Sequence, residues 1–241
     1  MNGDDDATAE QARGLARGIA AYWQKELGGR LLGFYLIGSL AHGGFSTRYS
    51  DIDVGLISTN GVTPIEIEAM RQHARKFSPD LAPKLSLFWT DRGFNIGRFP
   101  TLDRLDYLDH AQPLIERERT APPRPSLDDV RAYLRGQPLD SWREQIARVT
   151  VLTALDDVTR RTYIRALLYT ARFLYSWHVG RMASNDDAVA FLHAQPQPGI
   201  DLDLVDRALV CRIANRPSDE LFGERDKLAG QLAACVKIIG A

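Results

Sequence analysis

The sequence has few cysteines, no long apolar run and no excess of charge of either sign. Its two cysteines, Cys211 and Cys235, provide no basis for a disulfide framework or a cysteine-rich zinc site. No run of about 18 apolar residues occurs, which argues against a membrane-spanning helix. The first residues are acidic and contain no apolar segment, so we expect no secretory signal peptide. These absences favour a protein of the reducing cytoplasm.

The charge balance bears on the class of partner. The chain carries 30 basic and 31 acidic side chains, which gives a formal charge of −1 at neutral pH. Such a balance provides no sequence-independent attraction to nucleic acid and no polybasic membrane anchor. Apolar residues make up 44% and charged residues 25%, as in ordinary globular domains. We therefore expect a globular protein without a nucleic-acid or membrane partner, and the sequence predicts no particular oligomeric state.

Hydrophobic spacing predicts a mixed first half. Apolar residues recur at helical or alternating spacing, and glycines and turn residues separate the segments. The predicted elements are a helix at 12–27, strands at 31–37 and 51–58, a helix at 64–77, a strand at 84–90 and helical spacing over 101–119. This order favours a mixed sheet with helices rather than a long series of β-α-β units.

The second half is predicted to be helical throughout. The run Ala-Pro-Pro-Arg-Pro at 121–125 is the sharpest change of composition and predicts a hinge. Beyond it, Ser126 to Asp129 has the form of a helix-capping box. Further helices are predicted at about 144–156, 159–179 and 185–194, with a last pair within 201–240. We therefore predict an α+β protein with two domains, 1–122 with a mixed sheet and 126–241 with a helical bundle.

Two aspartates and a Gly-Ser pair carry the predicted chemistry. Asp51 and Asp53 alternate along a strand, so they lie on the same face. Two carboxylates a few Å apart repel by roughly 4 kcal/mol at an effective dielectric constant near 20, and a divalent cation relieves that repulsion. Oxygen ligands favour Mg²⁺ over zinc. Gly38 and Ser39 end the preceding strand, where backbone N–H groups and a hydroxyl can bind phosphate.

An isolated Asp-x-Asp is most often a solvated strand end, and an isolated Gly-Ser pair is equally weak as a signal. Their combination, in the order strand, Gly-Ser, loop and Asp-x-Asp strand, favours a functional site over a solvated strand end. A phosphate site beside a Mg²⁺ pair is typical of nucleotidyl transfer.

The segment GFYLIGSLAHGGFSTRYSDIDVGLIS resembles the polymerase-β-like nucleotidyltransferases. Within that superfamily, this segment and the later IRALLYTARFLYSWHVGRMASNDDAVAFL are similar to the aminoglycoside adenylyltransferases of the streptomycin and spectinomycin type. The resemblance implies a nucleotidyltransferase domain followed by a helical domain, with ATP and an aminoglycoside held between them and Mg²⁺ as cofactor. It also implies a role in antibiotic resistance.

The resemblance also implies roles for individual residues. Asp51 and Asp53 would be the catalytic metal ligands, and Ser39 with Gly38 would bind the nucleotide phosphates. Arg172 would bind the ATP phosphates from the helical domain. Helical spacing places Arg172 on one face with Arg165, Tyr169 and Ser176. Such a stripe is commonly a solvated face, but arginines that face a polyphosphate are suitable partners for it.

Three positions depart from the family pattern. Ser86 stands where the family has a glutamate that acts as general base, and Thr162 where an aspartate contacts the drug. Asn185 stands where a lysine contacts ATP. We assign Ser86 and Thr162 to substrate binding and Asn185 to nucleotide binding.

Two functions follow from these observations. The first is Mg²⁺-dependent transfer of AMP from ATP to a hydroxyl of an aminoglycoside-like small molecule, with release of pyrophosphate. The alternative is a catalytically impaired nucleotide-binding protein of the same fold that acts as a sensor or interaction module, and the departures at Ser86, Thr162 and Asn185 motivate it. A third reading, RNA-directed nucleotide addition, is disfavoured by the neutral charge.

Overall fold

The computed structural model describes residues 3–151, 156–216 and 219–240. The chain forms two units, Met1–Arg124 and Pro125–Ala241. Within the described ranges no helix has both the length and the apolar character needed to cross a bilayer.

The first unit is built on a five-stranded mixed sheet in the order β4-β3-β2-β1-β5. Strands β2 and β3 are parallel, and the other neighbouring pairs are antiparallel. The elements in chain order are α1 (Gly3–Leu27), β1 (Leu31–Leu36), α2 (Ser39–His42), β2 (Ile52–Ser58), α3 (Pro64–Phe77), β3 (Leu85–Asp91), β4 (Gly97–Arg98), α4 (Thr101–His110) and β5 (Gln112–Glu116).

The two faces of this sheet have different cores. One face packs on α1 and α3 through mainly aliphatic side chains, together with the aromatic Trp23 and Phe34. The other face carries an aromatic cluster in which Phe99 and Tyr107 lie 5.7 Å apart, centroid to centroid. Helix α3 begins at the capping box of Thr63 and Glu66, and its first residue is a proline, which has no amide hydrogen to leave unpaired. Because both faces of the sheet are covered by these cores, the start of β2 is held in a buried sheet.

The structure corrects the helical prediction for residues 101–119. Helix α4 ends at His110, and Gln112–Glu116 form a strand that pairs with β1. The spacing of Leu114 and Ile115 fits a helix, but pairing with the open edge of β1 satisfies their backbone groups. Pro113 is compatible with an edge strand, where its missing N–H faces away from the sheet.

The second unit is helical, as predicted. Its elements are α5 (Leu127–Leu134), α6 (Gln137–Thr150), α7 (Asp157–Val179), α8 (Asn185–Ala194), α9 (Leu202–Ile213), α10 (Asp219–Gly223) and α11 (Asp226–Gly240). The capping boxes behave as the sequence indicates, because Ser126 and Asp129 cap each other's backbone amides. Helix α6 begins and ends earlier than predicted, and residues 152–155 of the predicted helix lie outside the described part of the chain.

Helix α7 contacts α5, α6, α8, α9 and α11, so it is surrounded on most sides. Ser176, which we predicted on the polar face with the arginines, is fully buried, and its hydroxyl donates to the Arg181 carbonyl at 2.8 Å. Ser176 thus lies inside the bundle rather than at a solvated surface.

Candidate active site

The chain turns sharply after β1 into residues 38–42, which we call the glycine–serine corner. Gly38 has a φ of +65°, a region in which side-chain-bearing residues are strained. A Cβ atom on Gly38 would also lie 2.5 Å from Oδ2 of Asp53. The corner therefore needs glycine for its backbone and for its space. The same geometry brings the Asp53 carboxylate against the corner.

A buried carboxylate holds the corner from α4. The N–H of Gly38 donates to Oδ2 of Asp106 at 2.5 Å. The Asp106 side chain is only 3% exposed, and its Oδ1 lies 4.0 Å from Nε2 of His42. Burying a carboxylate is costly unless hydrogen bonds compensate, so Asp106 fixes the backbone at the position where the phosphate site is predicted.

Two further side chains bind carbonyl groups of the corner. Arg13 of α1 donates to the Leu40 carbonyl at 2.5 Å, and Gln112 of β5 donates to the Ala41 carbonyl at 2.6 Å. Three separate elements thus fix the corner. A backbone held in this way binds a ligand without first losing conformational entropy.

The hydroxyl of Ser39 belongs to the same arrangement. Its Oγ donates to Oγ of Ser50 at 3.1 Å, and Ser50 Oγ accepts the N–H of Ser46 at 2.9 Å. Ser39 is only partly buried. The sequence predicts Ser39 in the phosphate site, and the structure places it in the corner, where it is hydrogen-bonded to the loop that leads to the aspartate strand.

The structure brings Asp51, Asp53 and Ser86 to one end of the sheet. Asp53 is the second residue of β2, and Asp51 lies two residues earlier, so both point to the same face. Ser86 is the register partner of Asp53 on the parallel strand β3. Asp51 and Ser86 also line one cavity of about 420 Å³. The position predicted for a general base thus carries a hydroxyl, in register with one of the two aspartates.

The donor set fits Mg²⁺. The described residues contain no group of three or more histidine, cysteine, aspartate or glutamate side chains that would hold a metal ion by themselves. Mg²⁺ is commonly bound through one or two carboxylates together with waters and substrate phosphates. Two partly buried carboxylates, one of which lies against a predicted phosphate corner, are of this kind.

The helical unit has its own concentration of positive charge around Tyr169. The guanidinium carbon atoms of Arg165 and Arg172 lie 5.8 and 5.1 Å from the Tyr169 ring centroid. Arg212 of α9 is only 8% exposed. Burial, followed by the charges of Arg172 and Arg165, lowers the pKa of Arg212 to about 10. We call Arg165, Arg172 and Arg212 the arginine cluster.

Asn185 and Thr162 occupy different parts of the helical unit. Asn185 is the first residue of α8, directly after the helix cap Ser184, whose hydroxyl accepts the Asp187 N–H at 3.0 Å. Thr162 is partly buried on α7, ten residues before Arg172, which corresponds to roughly 15 Å along a helix. The structure therefore does not place Thr162 beside Arg172, and the roles of both stay predictions.

Asp106 and Arg212 were missed by sequence reasoning. Each is a charged residue on the apolar stripe of a predicted helix: Asp106 follows Leu102 by one helical turn, and Arg212 follows Ala208 by one turn. A charge at such a position is expected to be buried and paired. That signal was present in the sequence.

Comparison with known proteins supports the fold. No protein-family model matches the sequence, and no curated protein matches it significantly. Among solved structures, it is similar to the spectinomycin adenyltransferase AAD(9) from Enterococcus faecialis, determined with ATP and spectinomycin. The match has a TM-score of 0.67 at 15% identity and covers 94% of this chain and 98% of that chain. A second match is a mutant of the toxin–antitoxin pair MntA-HpeT, with a TM-score of 0.32 at 16% identity, over 56% of this chain and 98% of that chain.

The predicted fold is confirmed by the first of these matches. The chain has the α+β fold of a nucleotidyltransferase of the AAD(9) kind, with a mixed-sheet region followed by a helical region.

Proposed function

We propose that this protein transfers AMP from ATP to a hydroxyl of a small molecule, with Mg²⁺ as cofactor and pyrophosphate as the second product. The observation that carries this proposal is the contact between Asp53 and the glycine–serine corner. A carboxylate suited to Mg²⁺ lies against a glycine whose backbone is fixed at the turn where a phosphate would bind. The shared fold with an adenyltransferase supports the same chemistry.

Asp51 and Asp53 are the proposed metal ligands. When bound there, Mg²⁺ neutralises the polyphosphate and orients it for displacement at the α-phosphorus. Both carboxylates are oriented by the strand that they begin. The polar groups of the corner bind the phosphate oxygens, chiefly the Ser39 hydroxyl and the backbone N–H groups around it. Asp106 acts as a positioning residue, because it holds the Gly38 backbone.

Ser86 has no basic group at neutral pH, so the acceptor proton passes to solvent in this proposal. General-base catalysis is typically worth about 10²–10⁴-fold. We therefore expect slow transfer that depends mainly on the position and charge of the reactants.

The acceptor that we propose is aminoglycoside-like in the sense of a polyhydroxylated ring compound. The solved neighbour was determined with ATP and spectinomycin, which supports a nucleotide and a ring compound of this kind as the two substrates. Ser86 and Thr162 are the proposed acceptor contacts. Arg172 and Asn185 are the proposed nucleotide contacts in the helical unit, and the positive charge of the arginine cluster supports the assignment of Arg172 to phosphate.

Purified protein with ATP, Mg²⁺ and a panel of hydroxylated acceptors tests the proposal. We expect pyrophosphate release and an acceptor heavier by one adenylyl group in mass spectrometry. Asp51→Asn removes one metal ligand and should abolish both signals, whereas Asp80→Asn, at an exposed position, is the matched control. Equal signals from the native protein and the Asp51→Asn variant would contradict the proposal.

The position of Ser86 opposite Asp53 favours the alternative of an impaired, nucleotide-binding protein of the same fold. This alternative predicts ATP binding in calorimetry without product from any acceptor. In that case Ser86→Glu, which places a carboxylate in register with Asp53, should produce turnover.

A further inference from the structure

A groove runs along the first half of β3, within the first unit. It is the cavity of about 420 Å³ that Asp51 and Ser86 line. Its lining includes the buried residues Met70 of α3 and Leu87 of β3. Four basic side chains complete its lining: Arg71, Arg75, Lys84 and Arg98.

The side chains that line this groove include more basic than acidic groups. In the described part of the chain, Asp51 is the one carboxylate among its lining residues, against four cations. Arg71 and Arg75 approach Glu68 at 3.9 and 3.3 Å. All three side chains are about half exposed, so Arg71 and Arg75 remain accessible to a ligand despite these surface pairs.

The two remaining cations are held in place at the start and at the edge of β3. The Lys84 ammonium donates to the Thr47 carbonyl, a neutral acceptor. The Arg98 guanidinium carbon lies 5.1 Å from the centroid of the Phe88 ring. The contact of Arg98 with an aromatic ring does not remove its positive charge, so this part of the groove keeps its attraction for anions.

The groove and the glycine–serine corner lie on opposite sides of the aspartate pair. The corner comes directly after β1 in the chain, and the groove lies along β3. Strand β2, with its aspartates, runs between β1 and β3. In-line displacement places the attacking oxygen opposite the leaving group. If the phosphates of ATP occupy the corner, as the proposed function requires, the acceptor approaches from the side of β3.

We propose that this groove receives the acceptor, and that the acceptor carries an anionic group, a phosphate or a carboxylate, on its hydroxylated body. This inference rests on the proposed function. In the reaction, a hydroxyl oxygen of the acceptor forms a bond to the α-phosphorus of ATP. The bond from that phosphorus to the bridging oxygen breaks, and pyrophosphate leaves with the electron pair. The hydroxyl proton passes to solvent. A polycationic aminoglycoside would be repelled by the same four side chains.

Sugars that share one carbon skeleton but differ in charge test which sign of charge the acceptor carries. The probes are glucose, glucosamine, glucose 6-phosphate and glucuronate, titrated by calorimetry into the full chain with Mg²⁺ and α,β-methylene-ATP. We expect both anionic probes to bind more tightly than glucose, and glucosamine to bind most weakly. The difference between the two anionic probes separates a phosphate from a carboxylate as the preferred group.

Variants locate the binding. Arg98→Gln and Arg71→Gln should each weaken binding of the anionic probes about tenfold, because each removes a charged hydrogen-bond donor. Arg98→Lys should retain most of the affinity. Arg17→Gln removes an exposed arginine of α1 outside the groove and should leave the affinity unchanged.

The inference is overturned if the anionic probes fail to bind in the millimolar range, if glucosamine binds best, or if the nucleotide analogue competes with glucose 6-phosphate. The last result would place the nucleotide phosphates in the groove. If anionic probes bind and depend on Arg98 but no acceptor yields pyrophosphate, the groove is supported as an anion site and the transfer reaction fails.

Discussion

The two units present their proposed phosphate-binding groups in different ways. In the first unit the residues proposed to bind phosphate and metal belong to one short segment from Gly38 to Asp53, and a backbone turn carries them. In the helical unit the cationic groups are long side chains on α7 and α9 that meet around Tyr169. The first arrangement depends on backbone dihedral angles and buried hydrogen bonds. The second depends on charge. The two should therefore differ sharply in tolerance to substitution.

The largest expected effect is that of Gly38→Ala. The added Cβ meets the Asp53 carboxylate at 2.5 Å on a backbone with φ of +65°. We expect adenylyl transfer to fall by 10²-fold or more and stability to fall by about 1–3 kcal/mol, measured by pyrophosphate release and thermal unfolding.

Gly43→Ala distinguishes the effect of backbone strain from the effect of a steric clash with Asp53. Gly43 also has a positive φ, of +95°, but nothing lies within 4 Å of an added Cβ. Gly43→Ala should therefore lose stability and retain most of its activity. Equal activity losses in the two variants would show that the contact with Asp53 has no special role.

A smaller effect is expected for Asp106, which supports the corner without belonging to it. Asp106→Leu leaves the Gly38 N–H without its acceptor, at a cost of about 1–3 kcal/mol. If Asp106 positions the phosphate site, the KM for ATP should rise about tenfold or more. Asp106→Asn retains an accepting oxygen and should recover most of that loss. A variant that loses stability but keeps the KM for ATP would reduce Asp106 to a purely structural role.

The smallest effect on folding is expected in the arginine cluster. Burial and the neighbouring charges of Arg172 and Arg165 disfavour the charged form of Arg212. A pKa held below its ordinary value means that folding disfavours the charge, so removal of that charge costs little folding free energy. Arg212→Met should therefore leave the unfolding temperature unchanged or raise it, while ATP affinity in calorimetry falls about tenfold. Arg143→Met, at an exposed position of α6, should change neither. A clear loss of stability in Arg212→Met would remove the contrast between the two units.

The sequence predicted secondary structure best where an element depends on residues close to it in the chain. Four elements lie close to their predicted bounds: strands β1 and β2, helix α3 with its cap at Thr63, and helix α8 with its cap at Ser184. Each depends on strand alternation, on a cap or on a turn glycine, and these are local properties.

The errors arise where distant segments decide the outcome. Leu114 and Ile115 fit a helical pattern, but the open edge of β1 recruits them into a strand. The full burial of Ser176 could not be predicted from its helical spacing, because other helices enclose α7. Asp106 was missed because only the contact of α4 with the corner shows what its carboxylate does.

The supports of the glycine–serine corner have a consequence for how this scaffold can diversify. The corner is held by Arg13, Asp106 and Gln112, from α1, α4 and β5. The groove is lined from α3, β3 and β4. Substitutions in the groove therefore leave these supports of the corner intact. Under the proposed function, the choice of acceptor can change at the edge of the sheet without disturbing the site proposed for the nucleotide.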